Sequence, residues 1–176
     1  MSFEEKKISS RVEYDGRILK LEVDDVLLPD GTKSERECVR HSGGAAVLFI
    51  EDNKVALVRQ YRYLYGKEIY EIPAGKVEKG EDPSAAALRE LEEETGYRAK
   101  KLAPLLKIYP SPGYTDEIIH IYLAEDCEKA QQKLDDGEFL DVVRMPVGEV
   151  LGLIDRGEIC DAKTVAAVYK YCYMNK

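Results

Sequence analysis

The chain has 176 residues, 44% of them apolar and 34% charged, which suits one compact globular domain with at most a small appendage. A formal net charge of −8 argues against a nucleic-acid polymer as partner but leaves small nucleotides open, because a bound cation can supply positive charge. The N-terminal MSFEEKKISS has no apolar signal segment and no apolar run approaches membrane-spanning length, which predicts a cytoplasmic protein without membrane contact.

The first forty or so residues read as strands. RVEYDGRILKLEVDDVLLPDGTKSERECVR alternates apolar and polar residues, and Pro29-Asp30-Gly31 supplies a turn between two arms. Ser42-Gly43-Gly44 makes a joint before a fully buried strand at 45–50, AAVLFI, and Glu51-Asp52-Asn53-Lys54 turns it into VALVRQYR. A short strand around Glu68–Ile72 follows. Further strands are expected near 105–109 and 117–124, separated by PSPGYTD, and in FLDVVRM after the acidic loop LDDGE. PVGEVLGLIDRG and DAKTVAAVYKYCYM read as helices, with Asp161 as an N-cap. Strands mixed with three helices around one core predict an α/β layered domain. No internal repeat or low-complexity tract interrupts it.

The richest stretch is GKVEKGEDPSAAALRELEEETGY, from Gly75 to Tyr97. Asp82 before Pro83 is an N-cap with Pro at the first helical position, and Gly96 stands where a C-cap would be. On that helix Glu90, Glu93 and Glu94 share one narrow sector, beside a core-facing stripe of Ala87, Leu88, Leu91 and Thr95. Three adjacent carboxylates repel one another unless a cation neutralises them, and a hard divalent ion is their natural partner. The cysteines Cys38, Cys127, Cys160 and Cys172 lack CxxC spacing, and with only His41 and His120 available neither a zinc site nor a disulfide framework is indicated.

Gly75, Glu81, Arg89-Glu90-Leu91, Glu93-Glu94 and Gly96-Tyr97 fit the Nudix box, Gly-x5-Glu-x7-Arg-Glu-U-x-Glu-Glu-x-Gly-U with U apolar. The chain thus resembles the Nudix hydrolases, which cleave a nucleoside diphosphate linked to another moiety. The loop Ser111–Glu117 and the segment VRQYRYLYGKEIYEIPAGK resemble the ADP-ribose pyrophosphatase branch. The resemblance implies an α/β/α sandwich with a mixed sheet, spanning 43–176, preceded by a small antiparallel β arm at 1–42. It implies Mg²⁺-dependent hydrolysis of ADP-ribose or a related ADP-sugar to AMP and a sugar phosphate, with Mn²⁺ as a substitute ion. Alternatives are another nucleoside diphosphate derivative, such as a dinucleotide or an oxidised nucleotide, or a non-catalytic nucleotide sensor. The intact set of box carboxylates makes the sensor the weakest of these.

The same resemblance assigns candidate residues. Glu90, Glu93, Glu94 and the backbone carbonyl of Ala74 are the metal ligands, and Arg89 holds Glu81 or Glu93 in place. Glu138 on the loop 134–139 stands where the branch carries its general base, with Asp135, Asp136 and Asp141 as rivals. Arg62 is the phosphate-binding fork, and Glu71, Glu78, Ser111 and Glu117 match pocket positions. Of Tyr61, Tyr63, Tyr65 and Tyr70, some are expected in the core and one against a nucleobase. In this branch the N-terminal arm pairs two subunits, so Val23, Val26, Leu27 and Leu28 are expected to be covered and the protein to be a homodimer, with Arg40 or His41 near a ligand.

Overall fold

A computed structural model describes residues 2–176. Its chain forms two compact units. One comprises the chain up to Gly43 together with Tyr109–Ile118; the other comprises Gly44–Ile108 and Ile119–Lys176.

The smaller unit is a meander of three antiparallel strands, β1 (Lys6–Asp15), β2 (Lys20–Leu27) and β3 (Lys33–Arg40). The β2–β3 turn closes at Pro29-Asp30-Gly31, where Gly31 takes φ +85° and the Asp30 carboxylate accepts the Thr32 N–H at 2.9 Å. Pairing is in register from Lys20↔Arg40 to Leu27↔Lys33. Val23 and Val26 are buried as expected; Leu27 and Leu28 are half-buried, and β1 is exposed along its length. The PSPGYTD segment joins this unit rather than simply linking two strands of the larger one. The Val39 N–H donates to the Tyr114 carbonyl at 2.7 Å, and the Asp116 N–H donates to the Val39 carbonyl at 3.2 Å.

The larger unit is the layered domain. Strands β4 (Gly44–Glu51), β5 (Lys54–Arg62), β6 (Lys67–Glu71), β7 (Ala74–Lys76), β8 (Tyr97–Ile108), β9 (Ile119–Lys129) and β10 (Leu140–Pro146) build one seven-stranded sheet. Its path runs β10-β5-β4-β9-β8, with β6 on β5 and β7 on β4. The β4–β9 pairing is parallel and its neighbours antiparallel, so the sheet is mixed. Asp52 and Asn53, both at positive φ, make the tight β4–β5 hairpin, a conformation that Asp and Asn tolerate.

Strand β4 is buried on both faces, which explains its unbroken apolar run. Ala45, Val47 and Phe49 pack with Ala86, Ala87 and Leu91 of α1 (Pro83–Thr95). Ala46 and Leu48 pack on the other face with Val147 and Val150 of α2 (Val147–Asp155) and Ala167 and Val168 of α3 (Ala162–Met174). The result is the expected helix/sheet/helix sandwich.

Three sequence expectations need correction. Strand β8 begins at Tyr97, immediately after the helix cap, well before residue 105. Leu88 is exposed, because burial runs through Ala86, Ala87, Leu91, Glu94 and Thr95, and Leu88 lies a further 100° round the helix. Of the four tyrosines, Tyr70 alone packs against the core; Tyr61 points outward from β5, while Tyr63 and Tyr65 sit exposed in a short 3₁₀ turn, Tyr63–Tyr65.

Candidate active site

Local sequence chemistry builds the helix that carries the site. The Asp82 carboxylate accepts the Ser84 N–H at 2.8 Å, Pro83 takes the first helical position, and Gly96 closes the helix at φ +68°. Tyr97 then meets the Phe49 ring at 5.0 Å, and Arg144 lies over both rings at 5.3 and 5.7 Å. An aromatic ring at this apolar box position therefore completes a packed stack.

Gly75 leaves room for the Glu90 carboxyl. A Cβ there would overlap the Glu90 carboxyl, so the box glycine and the first helical glutamate interlock. Arg89 is the organiser. Its guanidinium reaches Glu81 at 3.1 Å, Glu90 at 2.7 Å, Glu93 at 2.9 Å and the Lys76 carbonyl at 3.2 Å. Glu81 in turn accepts the Glu78 N–H at 2.9 Å, tying the turn before the helix to the helix itself. The expected choice between Glu81 and Glu93 does not arise, since one guanidinium serves both.

Glu94 is the most deeply buried of the box acids, and among the described residues its carboxylate accepts a single hydrogen bond, 2.9 Å from the Ala74 N–H. Burial pushes its carboxyl up to about 8, against the pull of that N–H, and the charges of Glu90, Glu138 and Glu71 push in the same direction. Glu90 is also raised, chiefly by burial; Arg89 opposes this, while Glu93 and Glu138 reinforce it. Glu90 and Glu94 lie one helical turn apart; Arg89 pairs with Glu90, whereas Glu94 has no ion-pair partner among the described residues.

The chemistry of these donors fits a hard divalent ion. Among the described residues no three Asp, Glu, His or Cys side chains converge to hold an ion by themselves. Glu90 and Glu94 would therefore share it with backbone, water or phosphate oxygens. Mg²⁺ suits such a set, because it keeps several waters and is usually held by one or two carboxylates plus substrate phosphates.

Glu138 reaches this neighbourhood through the loop between β9 and β10. That loop is hung on the C-terminal end of α1, whose last carbonyls lack helical partners. The Ala130 N–H donates to the Gly96 carbonyl at 2.7 Å, the Gln132 amide to the Glu94 carbonyl at 2.6 Å and the Lys133 N–H to the Glu93 carbonyl at 3.0 Å. Further on, Gly137 at φ +88° turns the chain and the Glu138 N–H closes onto the Asp135 carbonyl. Glu138 is the loop acid whose charge bears on both Glu90 and Glu94. Asp141 is engaged elsewhere, by Arg59 at 2.6 Å. A cleft of about 590 Å³ is lined by Arg89, Glu92 and Glu93 of α1 and by Gln131 and Lys133 of this loop.

Arg62 and Glu71 form a fork-on-fork pair at 2.6 and 2.9 Å. Glu71 is buried, which alone would raise its carboxyl, yet Arg62 and Lys163 outweigh burial and hold it below the ordinary range. Its oxygens are thus occupied by protein cations. Glu78 is exposed beside Glu81. Ser111 and Glu117 lie in the smaller unit, where the Ser111 carbonyl closes a turn and Glu117 sits 3.5 Å from His41 Nδ1. Arg40 there is engaged by Glu22, Asp24 and Asp116. Sequence reading missed Lys163 and Thr164. A signal was available for Lys163: a cation in the first turn of a helix opposes the helix dipole and implies a partner.

The NUDIX domain family profile matches residues 40–168, and the profile described as the nucleoside diphosphate sugar hydrolase N-terminal domain matches residues 5–39. The chain belongs to the Nudix family. It is 50% identical over 169 residues to the methanol dehydrogenase activator of Bacillus methanolicus, covering 94% of this chain and 91% of that protein. It is 46% identical over 170 residues to the ADP-ribose pyrophosphatase of Bacillus subtilis, covering 95% and 92%. The crystal structure of an ADP compounds hydrolase superposes with a TM-score of 0.87 at 23% identity, covering 99% of this chain and 96% of that one, which establishes the shared fold. No helix among the described residues is long and apolar enough to cross a membrane.

Proposed function

We propose that this protein hydrolyses the diphosphate bond of ADP-ribose, or a related ADP-sugar, to AMP and a sugar phosphate with Mg²⁺ bound at Glu90, Glu94 and the Ala74 carbonyl. The observation that carries the metal reading is the pair Glu90 and Glu94 on one side of the helix, both raised, of which Glu94 is buried with no ion-pair partner among the described residues. The substrate reading rests on the relative named ADP-ribose pyrophosphatase, at 46% identity over nearly the whole chain. When bound, the ion shields phosphoryl oxygens and makes the attacking water more acidic. Mn²⁺ can take its place with the same oxygen ligands.

Each residue then has a defined task. Arg62 offers the part of its guanidinium not used by Glu71 to a phosphate of the substrate. Glu138 takes the proton from the water as its oxygen bonds to phosphorus and the bridging P–O bond breaks towards the departing phosphate. Glu93 and Glu81, gripped by Arg89, keep the helix and the preceding turn at fixed spacing. Glu78, Ser111 and Glu117 are proposed pocket residues for ribose hydroxyls. The four free cysteines support a reducing, cytoplasmic setting.

A panel of nucleoside diphosphate derivatives incubated with Mg²⁺, with products identified chromatographically, tests this function. AMP and ribose 5-phosphate from ADP-ribose are expected; preference for a dinucleotide or an oxidised nucleotide would replace the substrate, and absence of turnover on the whole panel would overturn the enzymatic reading. Residues 1–42 are proposed as a dimerisation arm ahead of a catalytic domain at 43–176. Ile8, Val12 and Tyr14 of β1 are more than half exposed, as are Phe3 and Ile18, an apolar surface that a second copy can cover. Light scattering is expected to give twice the 19.9 kDa chain mass.

A further inference from the structure

We propose that Lys163 is a positioning residue for the substrate's diphosphate, acting through Glu71 on Arg62; this rests on the reading of Arg62 as a phosphate ligand. Lys163 stands at the second position of α3, where the helix dipole disfavours a cation, and it is buried. Its ammonium bonds the Glu71 carboxylate and lies 3.0 Å from Asp161. Glu71 is buried as well, and its two oxygens hold Nε and Nη2 of Arg62. Arg62 itself is 41% exposed at the side chain. A chain of charges thus runs from a buried helix start to a guanidinium with one free edge.

Neighbouring bonds make the arrangement rigid. Asp161 caps α3 by accepting the Thr164 N–H at 3.1 Å, and the Thr164 hydroxyl oxygen accepts the Ile72 N–H at 2.8 Å. The start of α3 therefore grips two consecutive residues, Glu71 and Ile72, just ahead of Ala74, whose N–H holds Glu94. Without Lys163, Glu71 would face Arg62 alone, and one cation would have to neutralise the buried carboxylate while also binding phosphate. With it, Lys163 neutralises Glu71, and the charge of Arg62 remains available to the substrate. Lys163 also competes for Glu71, so that Arg62 is held in aim without being sequestered.

The test compares Lys163→Met, Lys163→Met/Glu71→Gln and Arg62→Gln, reading KM and kcat for ADP-ribose together with the melting temperature. Lys163→Met is expected to raise KM roughly 10- to 100-fold, the size usual for loss of a residue that orients a ligating group, with a much smaller change in kcat. It also lowers the melting temperature, since it removes one of the two cations that neutralise a buried carboxylate. The double variant removes both charges and regains stability, but its KM stays high because Arg62 has lost its anchor. Recovery of KM in step with melting temperature would reduce Lys163 to a structural role and overturn the inference. An unchanged KM in Lys163→Met, with KM raised in Arg62→Gln, overturns the inference and leaves the proposed function intact. An unchanged KM in Arg62→Gln removes the phosphate role of Arg62 and the inference with it.

Discussion

Asp24 in the smaller unit and Glu94 in the larger are both carboxylates with almost no exposed surface, 6% and 4%, and they titrate in opposite directions. Asp24 is held below its ordinary value, first by Lys7 at 2.8 Å and then by Ser10, with Arg40 adding its charge. Glu94 is pushed up to about 8 by burial, which the one backbone N–H it accepts among the described residues does not offset and which the charges of three other carboxylates reinforce. Burial alone therefore says little about a carboxylate's task. Asp24 is neutralised by its own chain, whereas Glu94 has no ion-pair partner among the described residues and is the group proposed to take a metal ion. Glu71 resembles Asp24 in this respect, satisfied by Arg62 and Lys163 although it stands among the site acids.

The largest expected effect separates these classes directly. Glu94→Gln, and separately Glu90→Gln, should lower turnover by on the order of 10³-fold, as expected when a ligand of a charge-stabilising ion is lost, while circular dichroism remains native. Near-normal turnover in either variant at saturating Mg²⁺ would break the distinction drawn between Glu94 and Asp24. Glu138→Gln should cost about 10²-fold in kcat with little change in KM, the lower end of the range for a general base. If Asp135→Asn gave that loss and Glu138→Gln did not, the proton acceptor would lie three residues earlier.

Protonation sharpens the comparison further. Below about pH 4.5 the Glu94 carboxyl is protonated whether folded or unfolded and makes no difference to stability. Between there and about 8 the metal-free folded state keeps a proton that the unfolded chain has released, so stability falls as pH rises, and the penalty is complete above about 8. Adding Mg²⁺ at pH 7 in dilute buffer should expel about one proton per chain, and Glu94→Gln should abolish most of that release. A titration with no pH change would mean that the ion binds elsewhere.

Asp24 carries the opposite sign. Its contribution is present above its ordinary value of 3.8 and is lost as pH falls through the lower folded value. Asp24→Asn should lower the melting temperature at neutral pH, a loss that shrinks in acid, and should leave kcat on ADP-ribose unchanged. A large fall in kcat would show that the two carboxylates share a task after all.

The Nudix helix was legible from the sequence because its determinants are local. Asp82, Pro83 and Gly96 set its ends, and the 3.6-residue repeat alone brings Glu90 and Glu94 to one side. Strand β4 was equally plain from its unbroken apolar run, as were the hairpin at Asp52-Asn53 and the cap of α3 at Asp161. What the sequence could not decide depends on partners far along the chain. Leu88 looked like a core residue until sheet packing chose Ala86 and Glu94 instead. The loop bearing Glu138 takes its place from carbonyls at the end of α1, and Glu71 is neutralised by Lys163, 92 residues later. By itself the sequence determined the caps, the helical period and the box, which neighbouring residues settle among themselves. Which carboxylates stay unsatisfied was decided only by the tertiary structure, because that balance depends on every charge and dipole the fold brings within a few ångströms.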